Sequence, residues 1–162
     1  MSMPLDCYAC RLTQGQEPLP GGRIWATQNW VVEHCTGPLG AGTLIVKPFR
    51  HCVHIGDLTA AEAAELGPLL QRVSYAVRVL AEADQVYVCL WSHAGWQAVH
   101  VHFVVQPAWN RWRERYRRAG PAIQAAMFEA GDTPAIAEIE RVCAEASRLL
   151  GGDSTGSSTG GR

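Results

Sequence analysis

Two cysteines separated by two residues, Cys7 and Cys10, and two histidines separated by one, His100 and His102, are the residues of this 162-residue chain whose types and spacing could do chemistry. Two thiols at that spacing can grip one cation or form a redox pair. Redox chemistry of the thioredoxin kind expects a βαβ context, which is lacking around Cys7, and a pair of thiols without an ion is the remaining alternative. Two thiolates with two neutral imidazoles make a tetrahedral set suited to zinc, so the CxxC predicts half of a zinc site. The histidine half is open to His34, His51, His54, His93, His100 and His102. Of these, His51 follows a strand ending at Pro48, and His100 sits on what reads as a central strand. Side chains alternate between the faces of a strand, so His100, His102, Val104 and Gln106 project one way and Val99, Val101, Phe103 and Val105 the other. A wholly apolar second face places this strand inside a sheet.

The elements that must position these residues follow from local patterns. Gln14 to Gly22 holds three Gly and two Pro and reads as a loop. Arg23–Ala26, Trp30–Glu33 and Leu44–Val46 are short runs rich in β-branched and aromatic residues, predicting a small antiparallel meander. Thr59 with Glu62 forms a capping-box signature, and Leu66, Leu69, Val73, Val77 and Leu80 recur at helical spacing, predicting a helix to about Ala81. Gln85–Leu90 and Val99–Val105 are two further strands, joined through Ser92 to Trp96. Helices are expected after Trp109, over Pro121–Ala130 and over Thr133–Leu150. The expectation is one α+β domain over 1–150 with about five antiparallel strands, a long helix and a C-terminal helical segment at 109–150. The Gly, Ser and Thr of 151–162 read as a disordered tail.

Composition narrows the function. The chain is 48% hydrophobic and 18% charged, enough for one core. A net charge of −1 disfavours nucleic acid as a partner, because non-specific binding needs an excess of Lys and Arg. No apolar stretch nears the roughly 20 residues that span a bilayer, and Met1 to Tyr8 lacks the blocks of a secretory signal. The expectation is therefore a cytoplasmic protein without a membrane partner. Cys35, Cys52, Cys89 and Cys143 are scattered singly and read as reduced, mostly buried thiols.

Two blocks carry a resemblance. Gly42-Thr-Leu-Ile-Val-Lys-Pro48-Phe-Arg50-His51 and His100-Val-His102-Phe-Val104-Val-Gln106-Pro107 are similar to the two sequence blocks of the histidine triad (HIT) family of nucleotide hydrolases and transferases. Gly42, Pro48 and His51 fall at the family's places in the first block, and His100, His102 and Pro107 in the second. The likeness spans about Cys7 to Pro107. It implies a HIT-like fold and a nucleophilic His102 that forms a covalent nucleotidyl-histidine, released by water or another acceptor. Members with a CxxC resemble galactose-1-phosphate uridylyltransferase in holding zinc with both thiols, a mid-chain histidine and the first triad histidine. Here those positions are Cys7, Cys10, His51 and His100. Such an ion has four protein ligands and no open position for water, so its role is structural. Relatives commonly form homodimers, and the resemblance implies the same here.

The chain departs from the family pattern at two places. Val104 stands at the third triad position, where the uridylyltransferase branch carries glutamine. Valine donates nothing, and losing one transition-state donor can cost on the order of 10²-fold in rate. Cys35 stands where relatives place Asn or Asp against ribose, with Asn29, Glu33 or His34 as possible substitutes. Donors for displaced phosphate charge are sought in backbone N–H groups near the triad strand, Gln97, His93 and Gln106. Trp96, in the loop leading to the triad, is a candidate to stack a base.

The arginines from Arg111 to Arg118 read better as a solvated helix face, being interleaved with Trp112, Glu114 and Tyr116. The leading reading is a hydrolase or nucleotidyltransferase acting on a dinucleoside polyphosphate or nucleotide phosphoramidate through His102. Its alternatives are a catalytically weak, zinc-stabilised nucleotide-binding or sensor module, and a zinc-stapled interaction domain that works through the arginine-rich helix.

Overall fold

The computed structural model describes residues 7–91 and 99–151. Five strands, β1 (Arg23–Ala26), β2 (Trp30–His34), β3 (Leu44–Pro48), β4 (Gln85–Leu90) and β5 (Phe103–Ala108), form one antiparallel sheet in the order β1-β2-β3-β5-β4. The helices are α1 (Tyr8–Thr13), α2 (Ala60–Ala81), α3 (Asn110–Tyr116), α4 (Pro121–Ala130) and α5 (Ile136–Gly151). Both the five-stranded α+β architecture and the place of β5 inside the sheet agree with the sequence.

The sheet sorts its side chains by alternation. Trp30, Val32, Leu44, Val46, Phe103 and Val105 face α2 and α5 and form the main core with Leu69, Val73, Val77, Ile139 and Leu150. Burying each such side chain contributes about 1.5–3 kcal/mol. Cys35 and Val104 face the other way, where α4 covers them with Ile123 and Met127 and forms a second, smaller cluster with Leu39. Residues 109–151 thus split between the two faces, α5 against the main core and α4 on the far side.

Helix α2 begins as its capping box requires. Thr59 accepts from the Glu62 amide at 3.2 Å, and the Glu62 carboxylate accepts from the Thr59 amide at 2.7 Å.

Several boundaries differ from expectation. The triad strand starts at Phe103 rather than Val99. Its neighbour β3 ends at Pro48, which has no N–H to offer a ladder, and the Val101 amide turns to the Cys52 oxygen at 2.7 Å instead. Cys10 lies within a helical turn, since α1 starts directly after Cys7. Helix α5 starts at Ile136 rather than Thr133, because Pro134 biases the residue before it toward extended backbone. All six cysteines are free thiols, and those at 35, 52 and 143 are buried. Among the described residues no helix is long and apolar enough to cross a membrane. Residues 152–162 lie outside the described residues.

Candidate active site

Helix α1 lies over the sheet face opposite the main core and brings both halves of the metal candidate together. Cys7 caps α1, Cys10 is one turn in, His51 follows β3 and His100 precedes β5. One ligand atom from each of these four residues lies within 4.8 Å of every other. His100 Nδ1 is 3.7 Å from Cys7 Sγ and 3.4 Å from Cys10 Sγ, and His51 Nδ1 is 3.4 Å from Cys10 Sγ. Zinc bonds of about 2.3 Å to sulfur and about 2.0 Å to nitrogen, at tetrahedral angles, put the S···N edge at about 3.5 Å. The three separations bracket that value, so donor set and spacing both fit a closed four-ligand ion. The other nitrogen of His100 is also committed, with Nε2 donating to the Pro48 oxygen at 2.9 Å. That bond orients the ring and leaves Nδ1 as the ligand atom.

Burial sets the protonation of the cluster. Burial and the neighbouring Cys7 thiol push Cys10 up to about 12, with Lys47 pulling the other way. Burial, against the opposing bond to Pro48, lowers His100 to about 4. In the metal-free protein Cys10 is a neutral thiol, and His100 an uncharged imidazole.

His102, two residues on, stands in a neighbouring pocket of about 260 Å³ on the same face. Its Nδ1 donates to the His100 oxygen at 2.8 Å, which leaves the Nε2 lone pair free. The alternation drawn for the triad segment therefore holds beyond the strand itself. Val101 and Phe103 enter the main core, while His100 and His102 both lie on the α1 side.

The pocket also holds a buried ion pair. Lys47, 1% exposed, and Glu33, 2% exposed, pair at 2.6 Å, and Lys47 Nζ donates to the Ala9 oxygen at 2.8 Å inside the CxxC. Continuing the register Ile45–Val104 and Val46–Phe103 by one step sets Lys47 opposite His102. A lone lysine directly after the apolar run Leu44–Val46 was the sequence signal for it.

The other candidates sort as follows. Cys35 lines the pocket, its thiol pushed up by burial. Val104 is buried against α4. Gln106 is held away from the pocket, donating to the Leu39 oxygen at 3.1 Å and accepting from Gln124 at 2.8 Å. Of the residues considered in place of a ribose-binding Asn or Asp, Asn29 donates to Glu65 and Glu33 pairs with Lys47. His34 lines the pocket with both nitrogens engaged, Nδ1 donating to the Cys35 oxygen and Nε2 accepting from the Gly42 amide. Gly42 holds φ +87° there, a left-handed conformation in which a side chain is strained. His54 is exposed beside a short 3-10 turn. His93, Trp96 and Gln97 lie outside the described residues. Arg111 stacks on Trp109, Arg115 pairs with Asp132, and none of the five arginines lines the pocket. Sequence reasoning did not single out the aromatic rim, Tyr8 and Phe128.

Comparison with solved structures gives this arrangement a context. A histidine triad nucleotide-binding protein from Sulfolobus tokodaii, described as hypothetical, superposes with TM-score 0.67 at 15% identity, over 93% of this chain and 100% of its own. The chain has the histidine triad fold. A zinc-bound histidine triad family protein from Mycobacterium smegmatis matches with TM-score 0.62 at 21% identity, covering 89% of this chain and 92% of its own. A HIT-like protein involved in cell-cycle regulation from Bartonella henselae, solved with an unknown ligand, matches with TM-score 0.63 at 15% identity over 92% and 99%. The likeness to histidine triad proteins thus extends through the C-terminal helices, past Pro107 where the sequence resemblance stops. No protein-family model matches the sequence, and no curated protein matches it.

Proposed function

We propose that this chain is a nucleotidyl hydrolase or transferase of histidine triad type, acting on a dinucleoside polyphosphate or nucleotide phosphoramidate with His102 as covalent nucleophile. The observation that carries the reading is the bond to the His100 oxygen from Nδ1 of His102, which lines the pocket. It fixes the tautomer whose Nε2 lone pair points to be used. That pair attacks the α-phosphorus, the bond to the leaving group breaks with its electrons, and the leaving group takes up a proton. A water oxygen or another acceptor then displaces Nε2, which recovers its lone pair, and the proton the acceptor gives up to solvent replaces the one the leaving group took from solvent. Two displacements replace one, and each has a lower barrier.

Cys7, Cys10, His51 and His100 are the ligands of a structural zinc ion in this reading. When bound, zinc supplies rigidity to the segment that presents His102, and with four protein ligands it offers no site for an activated water. Lys47 and Glu33 tie the CxxC to β2 and β3 on the same face.

Val104 favours a second reading. Its side chain is buried among Cys35, Leu39, Ile123 and Met127 and donates nothing, as expected of a catalytically weak nucleotide-binding or sensor module.

Incubation with adenosine 5′-phosphoramidate, a denaturing alkaline quench and intact mass separate the two. The enzyme gives one adenylyl adduct per chain, absent in His102→Gly. An adduct on that variant removes His102 as nucleophile, and binding without any adduct leaves the second reading. One zinc per chain, lost in the Cys7→Ser/Cys10→Ser double variant, is the expected metal content. The substrate partner is a small nucleotide, with no nucleic acid or membrane involved, and the working form is a cytoplasmic homodimer in a single domain over 1–150.

A further inference from the structure

Phe128 is a large apolar side chain left 58% exposed on α4, at the rim of the pocket that holds His102. A Cβ built on Gly37 would stand 3.6 Å from its ring and 3.6 Å from Cys35 Sγ, so the ring closes the end of the pocket formed by residues 35–37. Tyr8, 44% exposed, stands on the rim as well, and Ile45 and Leu12 line the space between. The charged and imidazole groups at this end are committed to protein partners. Glu33 pairs with Lys47, and His34 uses both nitrogens within the fold. Cys35 is a neutral thiol in an apolar setting. A carboxylate free to read vicinal hydroxyls is not among the described lining residues, whereas an aromatic face is.

We propose that Phe128 is the specificity-determining residue of this pocket, taking the planar ring of a phosphoryl substrate on its exposed face, so that the chain selects substrates by their aromatic group and not by sugar hydroxyls. The inference rests on the reading of His102 as a phosphorus nucleophile and adds the class of group that must flank the phosphorus. Aromatic faces stack any base, so base identity is read weakly. The sugar then serves as a spacer.

Titration calorimetry on the zinc-loaded protein with AMP, 2′,3′-dideoxy-AMP and ribose 5-phosphate tests the proposal. AMP and its dideoxy analogue are expected to bind within about twofold of each other, and ribose 5-phosphate at least about tenfold more weakly. Phe128→Ala is expected to weaken both nucleotides by about tenfold and leave ribose 5-phosphate unchanged, while Phe128→Trp retains nucleotide binding. Metal content and circular dichroism of Phe128→Ala should match the parent, since the ring is largely exposed. Unchanged AMP affinity in Phe128→Ala, or dideoxy-AMP binding more than about tenfold below AMP, overturns the proposal. If the parent protein binds none of the three, the nucleotide reading itself falls, an outcome distinct from a failure of Phe128 alone.

Discussion

His100 and His102 hold opposite tautomers. His100 donates from Nε2 to the Pro48 oxygen, with Nδ1 turned to the two sulfurs, whereas His102 donates from Nδ1 to the His100 oxygen, with Nε2 free in the pocket. One backbone carbonyl therefore links the metal candidate to the proposed nucleophile. Nitrogen-15 correlation spectra at neutral pH should show a protonated Nε2 on His100 and a protonated Nδ1 on His102. A free Nδ1 on His102 would place the lone pair away from the pocket and defeat the proposed attack.

Metal loading should release protons. Cys10 in the metal-free protein is held up to about 12 by burial and by Cys7, so at pH 7 it carries its proton, and a cation must displace it. Zinc titrated into apo protein, in two buffers of different ionisation enthalpy, should show at least about one proton released per ion. Cys10→Ser should abolish high-affinity binding and lower the melting temperature. Zinc uptake with no proton release would mean that the ion binds elsewhere.

The residue types of the metal candidate were legible because thiols at CxxC spacing and histidines near strand ends are informative without a structure. Alternation likewise separated His100 and His102 from Val101 and Phe103. The strand boundary was not legible, since Val99 and Val101 have strand composition while the limit is set by Pro48 on a neighbour. Phe128 and Lys47 escaped for different reasons. The place of Phe128 depends on how α4 docks, which no local pattern encodes. Lys47 sat in plain view, but its carboxylate partner Glu33 is joined only by the register of β2 with β3.

Val104 marks where α4 has taken over. It packs in the cluster with Ile123 and Met127, and it does not line the pocket of His102. A polar group placed there would be desolvated without reaching a substrate. Val104→Gln should therefore lose about 1–3 kcal/mol of stability, read by denaturant titration, without raising turnover. A gain of tenfold or more in rate would show instead that the missing third donor limits the reaction.

The start of α2 should make the protein acid-sensitive. Arg50 donates twice to the Glu62 carboxylate, at 3.0 and 2.7 Å, and with Thr59 holds it down to about 2 against the desolvation that opposes ionisation. The folded state binds this proton less readily than the unfolded chain. The stabilisation is therefore full above the ordinary value of 4.5 and lost as pH falls toward 2. Glu62→Gln keeps a capping side chain but removes the charge. It should cost about 1 kcal/mol at pH 7, with Arg50 partly in solvent, and flatten the stability profile between those two pH values. Chemical denaturation across that range checks both, and an unaltered acid limb would assign the acid sensitivity to other carboxylates.

Lys47 and Glu33 form a buried pair whose partners cannot be removed singly without cost. Their attraction offsets the desolvation of both charges, and the bond from Lys47 to the Ala9 oxygen makes the pair a fastening for the CxxC segment. Lys47→Met strands a buried carboxylate and should cost about 3–5 kcal/mol, whereas Lys47→Met with Glu33→Leu should recover much of that loss. The double variant would still lack the bond to Ala9. Its zinc affinity should thus remain below that of the parent even where its stability has been restored, so metal affinity and unfolding free energy, measured on the same three proteins, separate the two roles. Equal zinc affinity in the double variant and the parent would reduce the pair to a packing feature of β2 and β3.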